Sequence, residues 1–139
     1  MANIVVEKTL PVSPDALWEL VKDFGNVRWI PGASETAQVE GDGPGMARIL
    51  GNPEGGSIRE ILDSIDEEGR SITYSIPEGV PFPVSSYCST MTVSDAGGEA
   101  RLSWSCDFEP DGASEAEAGG AIEGMYGVMA GWIQDCLKE

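Results

Sequence analysis

The chain has 139 residues, 24 acidic and 8 basic, for a net charge of −16, and it contains no histidine. That length predicts one domain spanning residues 1–139, large enough to hold a core without metal or disulfide. The charge excludes docking on nucleic-acid backbones and anionic membranes, and the missing imidazole excludes Ser-His and Cys-His nucleophiles, His metal sites and a His switch.

Residues 4–10 are rich in β-branched side chains and predict a strand, ended by Pro11. Charge comes early, at Glu7 and Lys8, so the start does not read as a secretory signal. Ser13-Pro14-Asp15 is a helix start: a Ser cap, a Pro in the first turn and an acid at the positive end of the dipole. Leu17, Leu20, Val21 and Phe24 follow at helical spacing, with Trp18 beside them, and Gly25 closes the helix. Residues 26–30 predict a second short helical turn before Pro31-Gly32.

From there strands and turns alternate. Strands are predicted at 36–40, 46–50, 57–66, 71–76, 84–93 and 100–108. Glycine-rich turns and loops separate them, including a loop at 51–56 and one at 77–83 whose three prolines argue against a ladder. The segment 114–137 predicts one long helix, with Ile122, Met125, Tyr126, Met129, Ile133 and Cys136 on one face. Gly120, Gly124, Gly127 and Gly131 fall on the opposite face. They read either as an exposed face or as a close contact with a second subunit, so a homodimer is one expected partnership. The longest apolar run, 125–133, is too short for a membrane helix, which takes about 20 residues. A soluble, cytoplasmic chain with no membrane insertion is expected. Cys88, Cys106 and Cys136 are widely spaced and lie in apolar patterns, so they read as reduced, buried thiols.

Strand, short helices, six strands and a long apolar-faced helix predict an α+β architecture in which the helix covers one face of a curled antiparallel sheet. A space between them, with loops 51–56 and 77–83 near its mouth, follows from that curl.

The residues also resemble a known family. The run 14–24 (Pro-Asp-Ala-Leu-Trp-Glu-Leu-Val-Lys-Asp-Phe) followed by Trp29-Ile30-Pro31-Gly32 is similar to the opening of START-like proteins of the SRPBCC superfamily, the polyketide cyclase/dehydrase and lipid-transport type. So are Gly45-Met46-Ala47-Arg48, Glu60-Ile61-Leu62-Asp63, Asp66-Glu67, 72–76 (Ile-Thr-Tyr-Ser-Ile) and 83–87 (Pro-Val-Ser-Ser-Tyr), with the Trp104/Phe108 strand and the final helix. The resemblance covers nearly the whole chain. It implies the helix-grip (START/birch-pollen-allergen-like) fold: seven antiparallel strands curled around a long C-terminal helix, two short helices after strand 1, and a hydrophobic cavity. Plant abscisic-acid receptors share the superfamily. Their gate and latch loops would correspond to 51–56 and 77–83 here, but the gate sequence is replaced by Gly-Asn-Pro-Glu-Gly-Gly. Their carboxylate-binding lysine falls near Glu35, and the basic residue of their latch is missing. The resemblance therefore implies no hormone receptor and no clamp for an acidic ligand. The receptors' pocket glutamate, tyrosine and serine match Glu60, Tyr87 and Ser89.

Strand parity groups the candidate ligand-binding residues. Leu102, Trp104, Cys106 and Phe108 share a face, as do Tyr87, Ser89 and Met91, and Tyr74 and Ile76. Each aromatic reads as core or as ligand contact. Glu60 shares a face with Ile58, Leu62 and Ser64. It is either a solvated outer carboxylate or, pointing inward, a candidate acid, base or ligand anchor. Trp29 and Ile30 read as a cavity lip or a packing bridge, and Phe82 as exposed or as a lid. Ile122, Met125, Tyr126 and Met129 would face the cavity from the long helix. Asp63, Asp66, Glu67 and Glu68 lack the Asp and Gly spacing of a calcium loop and read as a solvated strand end. No cofactor and no metal is implied. The leading expectation is a binder of a small hydrophobic or amphipathic molecule: a lipid, an isoprenoid or a polyketide-like compound. The alternatives are a polyketide aromatase/cyclase or dehydratase that moves a proton with Glu60 or a Tyr, and a protein-interaction module.

Overall fold

Apolar and polar residues alternate through most of the chain, and the strands follow that alternation. A computed structural model describes residues 2–51 and 55–138. It contains β1 (Ala2–Leu10), α1 (Pro14–Lys22), a 3-10 turn (Ala33–Glu35), β2 (Gln38–Glu40), β3 (Ala47–Gly51), β4 (Ser57–Asp66), β5 (Ser71–Glu78), β6 (Val84–Ala96), β7 (Glu99–Pro110) and α2 (Glu115–Lys138). The strands form one seven-stranded antiparallel sheet in the order β1-β7-β6-β5-β4-β3-β2. In β7, Ala100, Leu102, Trp104, Cys106 and Phe108 are buried, while Arg101, Asp107 and Glu109 are exposed. The sheet curls, and its apolar face receives α1 and α2.

Capping chemistry places both helices. Ser13 Oγ accepts the Ala16 N–H at 3.1 Å, Pro14 occupies the first turn, and Leu17, Trp18, Leu20 and Val21 are buried. At α2 a reciprocal capping box forms: Ser114 Oγ accepts the Glu117 N–H and Glu117 Oε1 accepts the Ser114 N–H, both at 3.1 Å. These Ser114 bonds hold the Glu117 carboxyl below its usual range. The buried side of α2 is Ala118, Gly119, Ile122, Tyr126, Ala130 and Ile133. A Cβ on Gly119 would stand 3.2 Å from Ile4 and 3.3 Å from Phe108, so this glycine brings the helix down onto β1 and β7. Gly120, Gly124 and Gly131 are exposed, Gly127 is half-buried, and a Cβ on any of the four would meet open space. No helix among the described residues is long and apolar enough to cross a membrane.

Four expectations need correction. One α-helix, not two short ones, follows β1. Residues 26–30 form turns, and the chain then makes the 3-10 turn at Ala33–Glu35. Pro31 disfavours helical backbone at the residue before it, and Gly32 turns the chain at φ 77°. The strand expected to stop at Ile76 runs on through Pro77 to Glu78. A bulge in β5, where Ile76 and Pro77 together oppose Glu60, makes room for it, and β6 pairs with β5 only at Ser71–Ser75, so the proline ring deprives no ladder of a donor on that side. Ser64 does not share the Glu60 face. A second irregularity between Leu62 and Ser64 turns it outward, and it is exposed. Finally, Thr36 and Ala37 lie outside β2, because the preceding 3-10 turn ends on Thr36. Within the expected loop 51–56, residues 52–54 lie outside the described residues.

Candidate functional site

The curl of the sheet leaves a cavity of about 330 Å³ against α2. Its apolar wall comes from Leu50 on β3, Ile58 on β4, Ile76 on β5 and Met125, Met129 and Trp132 on α2. Trp29 and Ile30 close it from the segment after α1, and Pro81 and Phe82 from the β5–β6 loop. Phe82 is half-buried and stacks on Tyr87 with ring centroids 5.8 Å apart and planes 14° apart. Gly79 makes this loop passable. It has φ 77°, and a Cβ there would lie 1.9 Å from the Ser57 carbonyl oxygen.

One stretch of the wall is polar. Arg48 on β3 and Glu60 on β4 stand opposite each other in the ladder, and both are buried although charged. Arg48 Nε donates to Glu60 Oε1 at 2.5 Å, and Nη1 donates to the Phe24 carbonyl at 3.1 Å. The guanidinium carbon sits 4.0 Å from the centre of the Phe24 ring and 5.5 Å from that of Tyr74. Sequence reasoning placed no basic group at the pocket. That expectation is corrected: Arg48 lines the cavity. Glu60 takes the inward of its two readings, with its charge matched by Arg48.

Beside the pair lies a hydroxyl network that contains all three tyrosines of the chain. Ser89 Oγ donates to the Ser105 carbonyl at 2.9 Å, which commits its only hydrogen. Trp104 Nε1–H donates to Ser89 Oγ at 2.9 Å and to the Tyr74 hydroxyl at 3.2 Å. Tyr126, 2.9 Å from Ser89 Oγ, must then be the donor to it, and Tyr87 in turn donates to Tyr126. This order leaves Tyr87 a free acceptor lone pair. Tyr74 keeps its own hydrogen, and the Ser89 and Tyr87 hydroxyls neighbour it. Trp104 stacks on Tyr126 with ring centroids 4.3 Å apart. Burial pushes the Tyr74 hydroxyl up to about 12, with the Glu60 charge adding to it. Burial likewise raises Tyr87 and Tyr126 well above the ordinary phenol value, so all three stay protonated at neutral pH.

The structure sorts the candidates. Trp29, Glu60, Tyr74, Ile76, Tyr87, Trp104, Met125 and Met129 come together on the cavity wall. Leu62, Ser89, Met91, Leu102, Cys106, Phe108, Ile122 and Tyr126 do not; they form the packed layer around it. Ser89 and Tyr126 act at one remove, through the hydroxyl network. Arg48, Leu50, Ile58, Pro81 and Trp132 are wall residues that sequence reasoning left out. The long helix alone carried a signal for Trp132, which flanks Met129 and Ile133.

Cys106 is buried, and burial pushes its thiol up to about 12. Cys88 is half-buried and also raised, by burial first and then by Asp63 and Asp107. Cys136 is half-buried and does have a basic neighbour, distant in sequence: Arg28 Nη1 lies 2.9 Å from its sulfur. Among the described residues no group of Cys, Asp and Glu is arranged to hold a metal ion.

A curled antiparallel sheet gripping a C-terminal helix around an aromatic-walled cavity defines a helix-grip protein. The chain belongs to the polyketide cyclase / dehydrase and lipid transport family, whose model matches residues 1–135. It is similar in structure to the protein XoxI from Bacillus cereus, at 29% identity and TM-score 0.84 over 100% of this chain and 97% of that one. An uncharacterized protein from Bacillus thuringiensis aligns at 28% identity and TM-score 0.85 over 99% of this chain and 100% of that one. Norcoclaurine synthase from Thalictrum flavum, in complex with dopamine and hydroxybenzaldehyde, aligns at 20% identity and TM-score 0.76 over 97% of this chain and 85% of that one, which shows a shared fold alone. No curated protein matches the sequence.

Proposed function

We propose that the protein binds a small hydrophobic or amphipathic molecule, of lipid, isoprenoid or polyketide-like type, in the cavity between sheet and α2. The observation that carries this reading is the wall itself: aliphatic and aromatic side chains enclose about 330 Å³, with a few polar groups gathered on one stretch. That is the composition of a small-molecule site, where buried apolar area supplies affinity and a few polar atoms set orientation. Trp29, Tyr74, Ile76, Tyr87, Trp104, Met125 and Met129 would contact the guest, joined by Arg48 and Glu60. The uncharged dye Nile red tests this. It should gain fluorescence with the wild type and lose most of the gain with Met129→Trp, which fills the cavity from α2. Equal signals from the two proteins, with no thermal shift across a lipid and polyketide panel, would overturn the reading.

A second reading is a cyclase or dehydratase, favoured by one observation: the Glu60 carboxylate reaches the cavity wall. The ion pair with Arg48 suits an anchor better than a free base, and the tyrosines suit hydrogen-bond donors better than bases. Glu60→Gln would abolish turnover of a polyketide substrate on this reading, and unchanged turnover would remove Glu60 from it.

A further inference from the structure

Resting on the cavity-binding reading, we infer that the guest is uncharged and that the Arg48–Glu60 pair is the device that rejects charged ones. Among the described residues these two are the only charged side chains on the wall. They are 5% and 8% exposed, joined Nε to Oε1 at 2.5 Å, and Arg48 is pinned further by the Phe24 carbonyl and by the rings of Phe24 and Tyr74. The tyrosines beside them are neutral at physiological pH. The wall as a whole therefore carries no net charge.

A carboxylate guest could use Arg48 only by adding an anion beside Glu60. An ammonium guest could use Glu60 only by adding a cation beside Arg48. Either one leaves an uncompensated charge in a site walled mainly by apolar side chains, where desolvation is costly. A neutral hydroxyl or carbonyl escapes both penalties. It can accept the Tyr74 hydrogen, and a hydroxyl can also donate to the Tyr87 oxygen. The surface charge of −16 favours cations in solution around the protein, so rejection of an ammonium guest would be a property of the wall.

Three probes of one shape test this at neutral pH: naphthol, naphthoate and naphthylmethylammonium, measured by titration calorimetry against wild-type protein. Naphthol should bind more tightly than either ion by at least about tenfold. Glu60→Gln should turn the preference toward naphthoate and Arg48→Met toward the ammonium. The double variant, neutral again, should return to naphthol. If a single variant does not fold, the wild-type ranking still decides. Nile red uptake separates the two ideas. A wild type that takes up neither Nile red nor naphthol loses the cavity reading. A wild type that takes up Nile red but shows no preference for naphthol over the ions keeps its cavity and overturns the charge reading.

Discussion

At the scale of residues, the hydroxyl network is directly testable because the chain has no tyrosine outside it. Each phenol has a folded-state value above its ordinary one. The folded state therefore holds tyrosine protons that the unfolded state has released above about pH 10. Stability from this source is fully present below that pH and is lost as pH rises toward about 12, the value for Tyr74. Phenolate absorbance should accordingly be silent in the native protein and appear for all three tyrosines together, coincident with loss of far-UV circular dichroism. A separate rise for one tyrosine in the folded protein would show that its hydroxyl is not buried as described. Strand parity made Tyr74, Tyr87 and Trp104 legible as inward residues, yet it gives a face and not a reach, so the bonds joining them could not be read. Arg48 was hidden for another reason. Both Ala47 and Arg48 are buried on the short β3, which breaks the alternation, and an arginine in a strand reads as outward. Its partnership with Glu60 depends on the β3–β4 register, which no single strand contains.

At the scale of elements, two glycines predict opposite outcomes. Gly79→Ala would force a side chain toward the Ser57 carbonyl at positive φ. It should cost about 1–3 kcal/mol in chemical denaturation and displace the Phe82 loop, weakening Nile red binding as well. Gly124→Ala meets open space on an exposed helical face and should stabilise by about 0.5–1 kcal/mol. If instead it lowered stability and dissociated a dimer seen by light scattering, the glycine face would be an interface. The β4 boundaries were legible in full, because a run rich in isoleucine and leucine is bracketed by turn residues. The 77–83 segment was not, since its prolines hid a strand end that depends on a bulge in β5 and on the early departure of β6. The Ser114-x-x-Glu117 box was present in the sequence and marks the start of α2 to the residue.

At the scale of the whole molecule, the acidic excess opposes compaction. Lys22, Arg48, Arg59 and Arg70 already pair with acids, so few bases remain to offset the rest of the carboxylates. Raising sodium chloride from about 0.05 M to about 0.5 M should therefore raise the melting temperature by several degrees. A flat response would mean that repulsion among the carboxylates is already dissipated. The sheet order carries a consequence of a different kind. β1 is the first strand made, yet its ladder partner is β7, with Ala2 facing Phe108 and Leu10 facing Ala100. During synthesis β1 waits while most of the chain emerges, and β6 waits beside it with an open edge. Closure of so long a span is entropically slow, so refolding should fall in the range of about milliseconds to seconds. A nascent chain arrested before β7 would leave both edges of β1 and one edge of β6 unpaired at once, which makes translation speed through the last third of the message a determinant of how much protein survives to fold.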